Sequence, residues 1–225
     1  MIDKNEVIEF FDKCAPKWDA DMIRNDDVIN KILDNAGVTK GSRVLDVACG
    51  TGVLIPDYMS RNVSGVTAID ISPEMIKIAK DKFENTSNAI SDNTNNNTNC
   101  NEKTKSNTDS DNKEHTDIRI ICGDVYETEV GNDYDSVIIY NAFPHFTDPD
   151  KLIQLLAGKL VKGGRITVAH GMSREKIDAH HRGSASKVSN GLMEADKLAD
   201  IFAKYTKVIT VISDDDMYQV VGETY

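Results

Sequence analysis

The stretch Arg43-Val44-Leu45-Asp46-Val47-Ala48-Cys49-Gly50-Thr51-Gly52 indicates the fold of the chain. Its first half is a short apolar run with one acid, which is typical of a buried strand. Its second half consists of very small residues, and a helix-compatible run, Val53 to Met59, follows it. A strand, a small-residue turn and a helix in this order present backbone N–H groups to a nucleotide-like ligand.

Length and composition limit how this stretch can be interpreted. The chain has 225 residues, 40% of them hydrophobic, which suits a single α/β domain with a substantial core. Its formal net charge is −11, so we expect neither a nucleic-acid nor a membrane partner. Four scattered cysteines, a polar start and the lack of a long apolar run predict a cytoplasmic protein without a signal peptide or membrane span.

Predicted strands and helices alternate along the chain. Five strands are expected at Arg43–Val47, Val66–Asp70, Ile118–Cys122, Tyr134–Tyr140 and Arg165–Ala169, with Lys162-Gly163-Gly164 as a tight turn before the fifth. Helices are expected over residues 4–13 and 26–36, from Pro73 to Phe83, and over residues 194–204. A further helix is expected to be capped by Asp148 and to extend to Leu160.

The chain ends in two predicted strands, Lys207–Ile212 and Met217–Val221, joined by a short acidic turn. Because that turn is too short for a helical crossover, the two strands are expected to pair antiparallel. The predicted fold is α/β. It is a Rossmann-like, seven-stranded, mostly parallel sheet with an antiparallel terminal strand and helices on both faces.

Three segments are assigned roles within a single domain of residues 1–225. Residues 1–36 are expected to form a helical lid over the ligand pocket, with Phe10, Phe11 and Trp18 as its aromatic residues. Residues 85–117 are Asn-rich and almost free of apolar side chains, which predicts a disordered insertion. Residues 171–191 form a long polar connection that we expect to cover a substrate.

Four motifs in the same order resemble those of class I S-adenosylmethionine-dependent methyltransferases. Within that class the chain is similar to the small-molecule group related to ubiquinone and menaquinone biosynthesis, over nearly all of its length outside the Asn-rich insertion. Ala48 stands where that family often has glycine. The motifs are the glycine-rich turn Val44–Gly52, the acid motif Ala68–Met75, the triplet Gly123-Asp124-Val125, and the turn Leu160–Gly164.

The resemblance implies S-adenosyl-L-methionine as the methyl donor and S-adenosyl-L-homocysteine as the product. It places Asp46 near the donor's amino group, Asp70 at both ribose hydroxyls and Asp124 at the adenine amine, where carboxylates can accept hydrogen bonds. The glycines allow close backbone approach. The other implied donor contacts are Ala48, Gly50, Gly52, Ile71, Met75, Val125 and Asn141.

Methyl transfer from a sulfonium is an in-line displacement, so the protein mainly has to align the acceptor, exclude water and remove a proton. His145, His170 and His181 lie at or after the fourth and fifth strands, and they are the candidates for a base or an orienting residue. The alternative that each fills a polar cavity stays open. No metal is expected, because the spacing of the histidines matches no zinc motif.

The preferred function is methyl transfer to a small-molecule acceptor by a monomer or homodimer. One alternative is a regulatory protein that binds S-adenosylmethionine without catalysis. A second alternative is an NAD-dependent oxidoreductase. It is disfavoured because the sequence after Gly52 lacks the third small residue that a dinucleotide-binding turn needs for close helix packing.

Overall fold

The computed structural model describes residues 2–89, 116–181 and 185–225. The helices are α1 Lys4–Cys14, α2 Trp18–Asp21, α3 Asp26–Asn35, α4 Ile55–Ser60, α5 Pro73–Ala89, α6 Pro149–Ala157, α7 Arg174–His181 and α8 Ala195–Phe202. The strands are β1 Arg43–Val47, β2 Gly65–Asp70, β3 Asp117–Cys122, β4 Tyr134–Tyr140, β5 Leu160–His170, β6 Lys207–Ser213 and β7 Tyr218–Glu223. No helix in these described ranges is both long enough and apolar enough to cross a membrane.

The seven strands form one sheet in the order β3-β2-β1-β4-β5-β7-β6. Strands β1 to β5 pair in parallel, whereas β7 lies between β5 and β6 and pairs antiparallel with both. The predicted seven-stranded fold with its antiparallel terminal strand is therefore confirmed. The strand order reverses between β1 and β4, and open α/β sheets bind ligands in the crevice at such a point.

Alternate residues of each central strand point to opposite faces of the sheet, and each face is covered by helices. Val44 of β1 packs in a core cluster with Leu33 of α3 and Tyr58 of α4. Its neighbour Leu45 packs in a second cluster with Leu156 of α6 and Phe202 of α8. Because both faces are covered, the parallel strands are rich in apolar residues instead of alternating with polar ones.

The predicted turn at Lys162-Gly163-Gly164 is wrong, since β5 begins at Leu160 and runs through both glycines. The chain end explains the difference. The Gly163 N–H donates to the Thr224 carbonyl, and the Thr224 N–H donates to the Gly164 carbonyl. The pairing of β4 with β5 shifts register here, so the glycines accommodate a bulge within the strand.

The segment 171–191 was expected to be a polar connection, but it contains helix α7. The Arg174 Nε atom donates to the Leu192 carbonyl at 2.8 Å, and the Leu192 N–H donates to Asp178 at 2.8 Å. These contacts hold a helix whose weakly apolar sequence does not predict it. Helix α4 also starts at Ile55, later than expected, with Pro56 in its first turn.

Helix α5 continues to Ala89, past the expected start of the Asn-rich insertion at residue 85. Strand β3 begins at Asp117, the last residue assigned to that insertion. The rest of the insertion, residues 90–115, lies outside the described residues.

Candidate functional site

A cavity of about 280 Å³ lies at the carboxyl ends of β1, β2, β3 and β4. Its floor is formed by the residues that end these strands or follow them, as expected for an open α/β sheet. Nine of the ten predicted donor contacts line this cavity: Asp46, Ala48, Gly50, Asp70, Ile71, Met75, Asp124, Val125 and Asn141.

Gly52 is the predicted donor contact that the structure places elsewhere. A Cβ atom at this position would lie 2.8 Å from Phe83 Cε2 and 2.9 Å from Ile55 Cδ1. The backbone φ of Gly52 is +79°, a left-handed conformation that favours glycine. Gly52 therefore lets α5 pack closely on the glycine-rich turn, and it does not line the cavity.

Asp46 is almost completely buried, with 2% of its surface exposed. Its Oδ2 atom meets no hydrogen-bond partner among the described residues. Burial raises the pKa of this carboxyl to about 8, the Tyr58 hydroxyl opposes the rise, and the negative charge of Asp70 adds to it. A buried acceptor without a partner is costly, so a cationic or N–H group that enters the cavity would stabilise the carboxylate.

Asp70 connects the ends of β1 and β2. Its Oδ2 atom accepts the Gly50 N–H at 2.8 Å, and its Oδ1 atom accepts the Ser72 N–H at 2.8 Å. Burial raises the pKa of the Asp70 carboxyl, while the N–H groups of Ser72 and Gly50 oppose this rise. Each carboxylate oxygen has a second lone pair, so the two backbone bonds leave capacity to accept ligand hydroxyls.

Asp124 lies beside a cation that the sequence did not point to. The Lys4 Nζ atom of α1 is 2.6 Å from Asp124 Oδ2 and 3.3 Å from Glu127 Oε2. The Tyr126 N–H donates to Asp124 Oδ1 at 2.9 Å. The N-terminal helix therefore reaches the acid that the motifs assign to adenine.

The N-terminal segment contributes side chains to the wall of the cavity. Its side chains that line the cavity are Ile2, Lys4, Val7, Phe11, Trp18 and Met22. Asp19 accepts a hydrogen bond from the Thr51 hydroxyl at 2.6 Å and pairs with Lys82 at 2.5 Å, which connects the N-terminal segment to the glycine-rich turn. Helix α3 also lies within residues 1–36, but it packs on the sheet, because its residues Ile29 and Leu33 belong to a buried core cluster.

His145 lines the cavity from the short helical turn Phe143–His145 that follows β4. Its Nδ1 atom is 2.7 Å from the carbonyl oxygen of Val188. The Phe11 ring meets its imidazole edge to face, with 4.9 Å between the ring centroids. His145 is thus held between α1 and the segment that follows α7.

Residues 45–168 match a family model described as a methyltransferase domain. The chain belongs to this methyltransferase family. The match begins in β1 and ends in β5, so it contains the strand ends that form the floor of the cavity. The predicted resemblance to class I S-adenosylmethionine-dependent methyltransferases is therefore confirmed.

Relatives of this family member include enzymes that act on different acceptors. It is 31% identical to the malonyl-[acyl-carrier protein] O-methyltransferase of Acetivibrio thermocellus over 163 residues, covering 69% of this chain and 47% of that one. It is 26% identical to the demethylmenaquinone methyltransferase of Renibacterium salmoninarum over 175 residues, covering 73% of this chain and 58% of that one. The chain therefore spans about half the length of the curated relatives it matches.

Solved structures show the same fold at low sequence identity. A Haloferax volcanii methyltransferase in complex with the Trm112 activator has a TM-score of 0.69 and 17% identity, covering 97% of both chains. The magnesium protoporphyrin IX methyltransferase of Synechocystis PCC 6803, solved with bound S-adenosylhomocysteine, has a TM-score of 0.64 and 14% identity. That alignment covers 99% of this chain and 100% of the other, so it includes the antiparallel terminal strand.

Of the other two candidate histidines of this family member, only His170 has a described side chain, and it does not line the cavity. His170 ends β5, is 1% exposed, and lies with its ring centroid 5.9 Å from that of Tyr218. His181 is the last residue of α7, and its side chain lies outside the described residues. Among the described residues, His145 is the only histidine that lines the cavity.

Lys4 and Tyr126 also line the cavity, although neither belongs to the sequence motifs that predict the donor site. Tyr126 directly follows the Gly123-Asp124-Val125 motif, so extending the motif by one residue would have found it. Lys4 lies far from every motif, and its contact with Asp124 depends on how α1 packs. No local pattern in the sequence identifies it.

Proposed function

We propose that this chain binds S-adenosylmethionine in the cavity and transfers its methyl group to a small-molecule acceptor. The observation that supports the proposal best is the convergence of Asp46, Asp70 and Asp124 on one cavity from three different strand ends. Their chemistry fits the three polar parts of the donor, which are an amino group, a ribose diol and an adenine amine.

The residues fit this donor in a further respect. The buried Oδ2 atom of Asp46 has no partner among the described residues, and an ammonium group is the kind of ligand that would supply one. Gly50 has a φ of +56° and brings its backbone to the cavity without a side chain. When bound, S-adenosylmethionine supplies a methyl group already activated by the sulfonium.

The protein's own contribution is to exclude water and to orient the reactants. Phe11 and Trp18 of the N-terminal segment cover the cavity, with 5.8 Å between their ring centroids. Aromatic faces also favour a cation in the space they enclose.

We assign His145 as the general base that takes up the proton of the acceptor. The Val188 carbonyl can only accept a hydrogen bond, so the Nδ1 atom of His145 carries the proton in the neutral ring. The Nε2 atom is then the basic nitrogen, the state that a general base requires. His170 is not included, because it is buried against Tyr218 away from the cavity.

A small acceptor is favoured because the site is a cavity of about 280 Å³ whose wall includes Val7 and Phe11 of α1, and small molecules bind in concave sites of this kind. The net charge of −11 further disfavours a nucleic-acid acceptor. Two relatives are named for different acceptors, malonyl-[acyl-carrier protein] and demethylmenaquinone, so their names do not identify the acceptor of this chain. We infer a monomer or a homodimer as the working state.

Calorimetric titration with S-adenosylhomocysteine, followed by incubation with isotopically labelled S-adenosylmethionine and a pool of cell metabolites, tests the proposal. We expect saturable binding and a labelled small molecule. Binding without any labelled product would favour the alternative of a regulatory S-adenosylmethionine-binding protein. Binding of NAD in place of S-adenosylhomocysteine would overturn the proposal, although the comparisons do not favour that outcome.

A further inference from the structure

A hydrogen bond joins α1 to the start of α5 across a separation of 60 residues in the chain. The Ser72 hydroxyl donates to Asp12 Oδ1 at 2.5 Å. The same carboxylate oxygen accepts the Glu74 N–H at 3.3 Å. One helix of the protein is thus capped by a side chain that belongs to another helix.

The first N–H groups of α5 depend on this arrangement. Pro73 has none to satisfy, the Glu74 N–H is bonded to Asp12, and the Met75 N–H donates to Ser72 Oγ at 3.2 Å. Ser72 is fully buried, and its hydroxyl has a single hydrogen, which goes to Asp12. Without Asp12, the hydrogen of that buried hydroxyl and the Glu74 N–H would both lose their acceptor, while the hydroxyl oxygen would still accept from Met75.

The same serine lies next to the acid assigned to the ribose. The Ser72 N–H donates to Asp70 Oδ1, and the Gly50 N–H donates to Asp70 Oδ2, both at 2.8 Å. Asp12, Ser72, Asp70 and Gly50 therefore form one continuous chain of hydrogen bonds. It leads from the N-terminal helix to the glycine-rich turn.

We propose that Asp12 is a positioning residue for donor binding, which holds the Ser72 turn and through it the Asp70 carboxylate. The inference rests on the proposed function, since it concerns the site assigned to the donor. It also has a reciprocal consequence. If Asp12 strengthens donor binding, a bound donor must stabilise the docking of α1 by the same factor.

Three variants measured by calorimetric titration with S-adenosylhomocysteine test the role of Asp12. Asp12→Ala removes the acceptor, and we expect its Kd to rise at least about tenfold, which corresponds to about 1.4 kcal/mol. Asp12→Asn keeps an acceptor oxygen in the same place, so its Kd should rise only about threefold. Glu9→Ala is the matched control, because Glu9 is exposed on the same helix and pairs only with Lys13 among the described residues, at 3.7 Å.

A Kd for Asp12→Ala within about twofold of wild type would overturn the inference and leave the proposed function intact. Failure of the wild-type protein to bind S-adenosylhomocysteine would instead overturn the proposed function, and this inference with it. If circular dichroism shows that Asp12→Ala is unfolded, Asp12→Glu takes its place. It keeps the charge but displaces the carboxylate by one methylene, and the same loss of affinity is expected.

A second readout separates positioning from a merely structural role. Lys13 and Lys17 lie at the end of α1 and just after it, where trypsin can cleave. We expect S-adenosylhomocysteine to slow cleavage there at least about threefold in wild type and in Glu9→Ala. Equal protection by the ligand in Asp12→Ala would contradict the coupling.

Discussion

The Nδ1 atom of His145 lies 2.7 Å from the main-chain oxygen of Val188, 43 residues further along the chain. This contact determines which ring nitrogen can take up a proton, because a carbonyl oxygen accepts hydrogen bonds and cannot donate them. Val188 is itself buried in a small apolar cluster with Val7 of α1 and Ala185. The N-terminal helix therefore contributes to the position of the proposed base as well as to the lining of the cavity.

Two substitutions of His145 distinguish a base from a structural residue. His145→Ala removes both ring nitrogens, whereas the amide nitrogen of His145→Asn can still donate to the Val188 carbonyl. If Nε2 accepts the proton, both variants should lower kcat by about 10² to 10⁴, while the Kd for S-adenosylhomocysteine changes little. The measurements are steady-state kinetics and calorimetric titration.

Wild-type turnover in His145→Asn, with a loss in His145→Ala, would mean that His145 only supports the loop through Val188. Unchanged turnover in both variants would remove His145 from the mechanism.

Asp46 makes the stability of the ligand-free protein depend on pH. Its pKa is about 8 in the folded protein against an ordinary value of 3.8, so the folded state holds the proton more tightly. The free energy of unfolding should therefore fall as the pH rises from about 4 to about 8. Asp46→Asn removes this titration, and urea denaturation across that range should show a shallower decline than wild type.

The Asp46 carboxyl should also make donor binding depend on pH. An ammonium group favours the ionised form of Asp46, so the Kd for S-adenosylhomocysteine should decrease as the pH rises toward about 8. Asp46→Asn should bind more weakly, and its Kd should vary less over this range. If Asp46→Asn keeps the wild-type pH dependence of both unfolding and binding, groups other than Asp46 cause that dependence.

Alanine substitutions at Gly52 and Gly41 distinguish the cost of a strained backbone from the cost of a crowded Cβ atom. Both have positive φ angles, +79° and +83°, but a Cβ atom meets Phe83 and Ile55 at Gly52 and nothing within 4 Å at Gly41. Gly41→Ala should cost about 1–2 kcal/mol of unfolding free energy for the left-handed conformation. Gly52→Ala should cost about 1–3 kcal/mol more because it overpacks the contact with α5. Equal losses in urea denaturation would contradict the packing role of Gly52.

Trp18 is the only tryptophan of the chain, and it lines the cavity. Its Nε1 atom lies 3.6 Å from where a Cβ of Gly50 would stand, so a ligand on the glycine-rich turn would change its surroundings. Titration with S-adenosylhomocysteine should give a saturable change in tryptophan fluorescence that is absent in Trp18→Phe. Binding seen by calorimetry without a fluorescence change would place the ligand away from Trp18.

The fold and most of the residues around the cavity were predictable because they are specified locally. Asp46, Asp70 and Asp124 each lie at or just beyond a strand, and parallel strands bring their carboxyl ends to one edge of the sheet. The prediction was wrong where local composition conflicts with a distant contact. Gly163 looks like a turn residue, yet pairing near Thr224 keeps it within β5.

By itself, the sequence determined the sheet, the family and the motifs of the donor site, because a strand and the turn after it are encoded within about ten residues. Only the tertiary structure shows that His145 lines the cavity whereas His170 does not, that Gly52 packs against Phe83, and that Ser72 donates to Asp12. The contacts of His145 and of Asp12 join segments that are 43 and 60 residues apart in the chain, and Gly52 packs against a side chain of another helix, so all three depend on how the elements pack. The periodicity of apolar residues in the sequence does not predict these contacts.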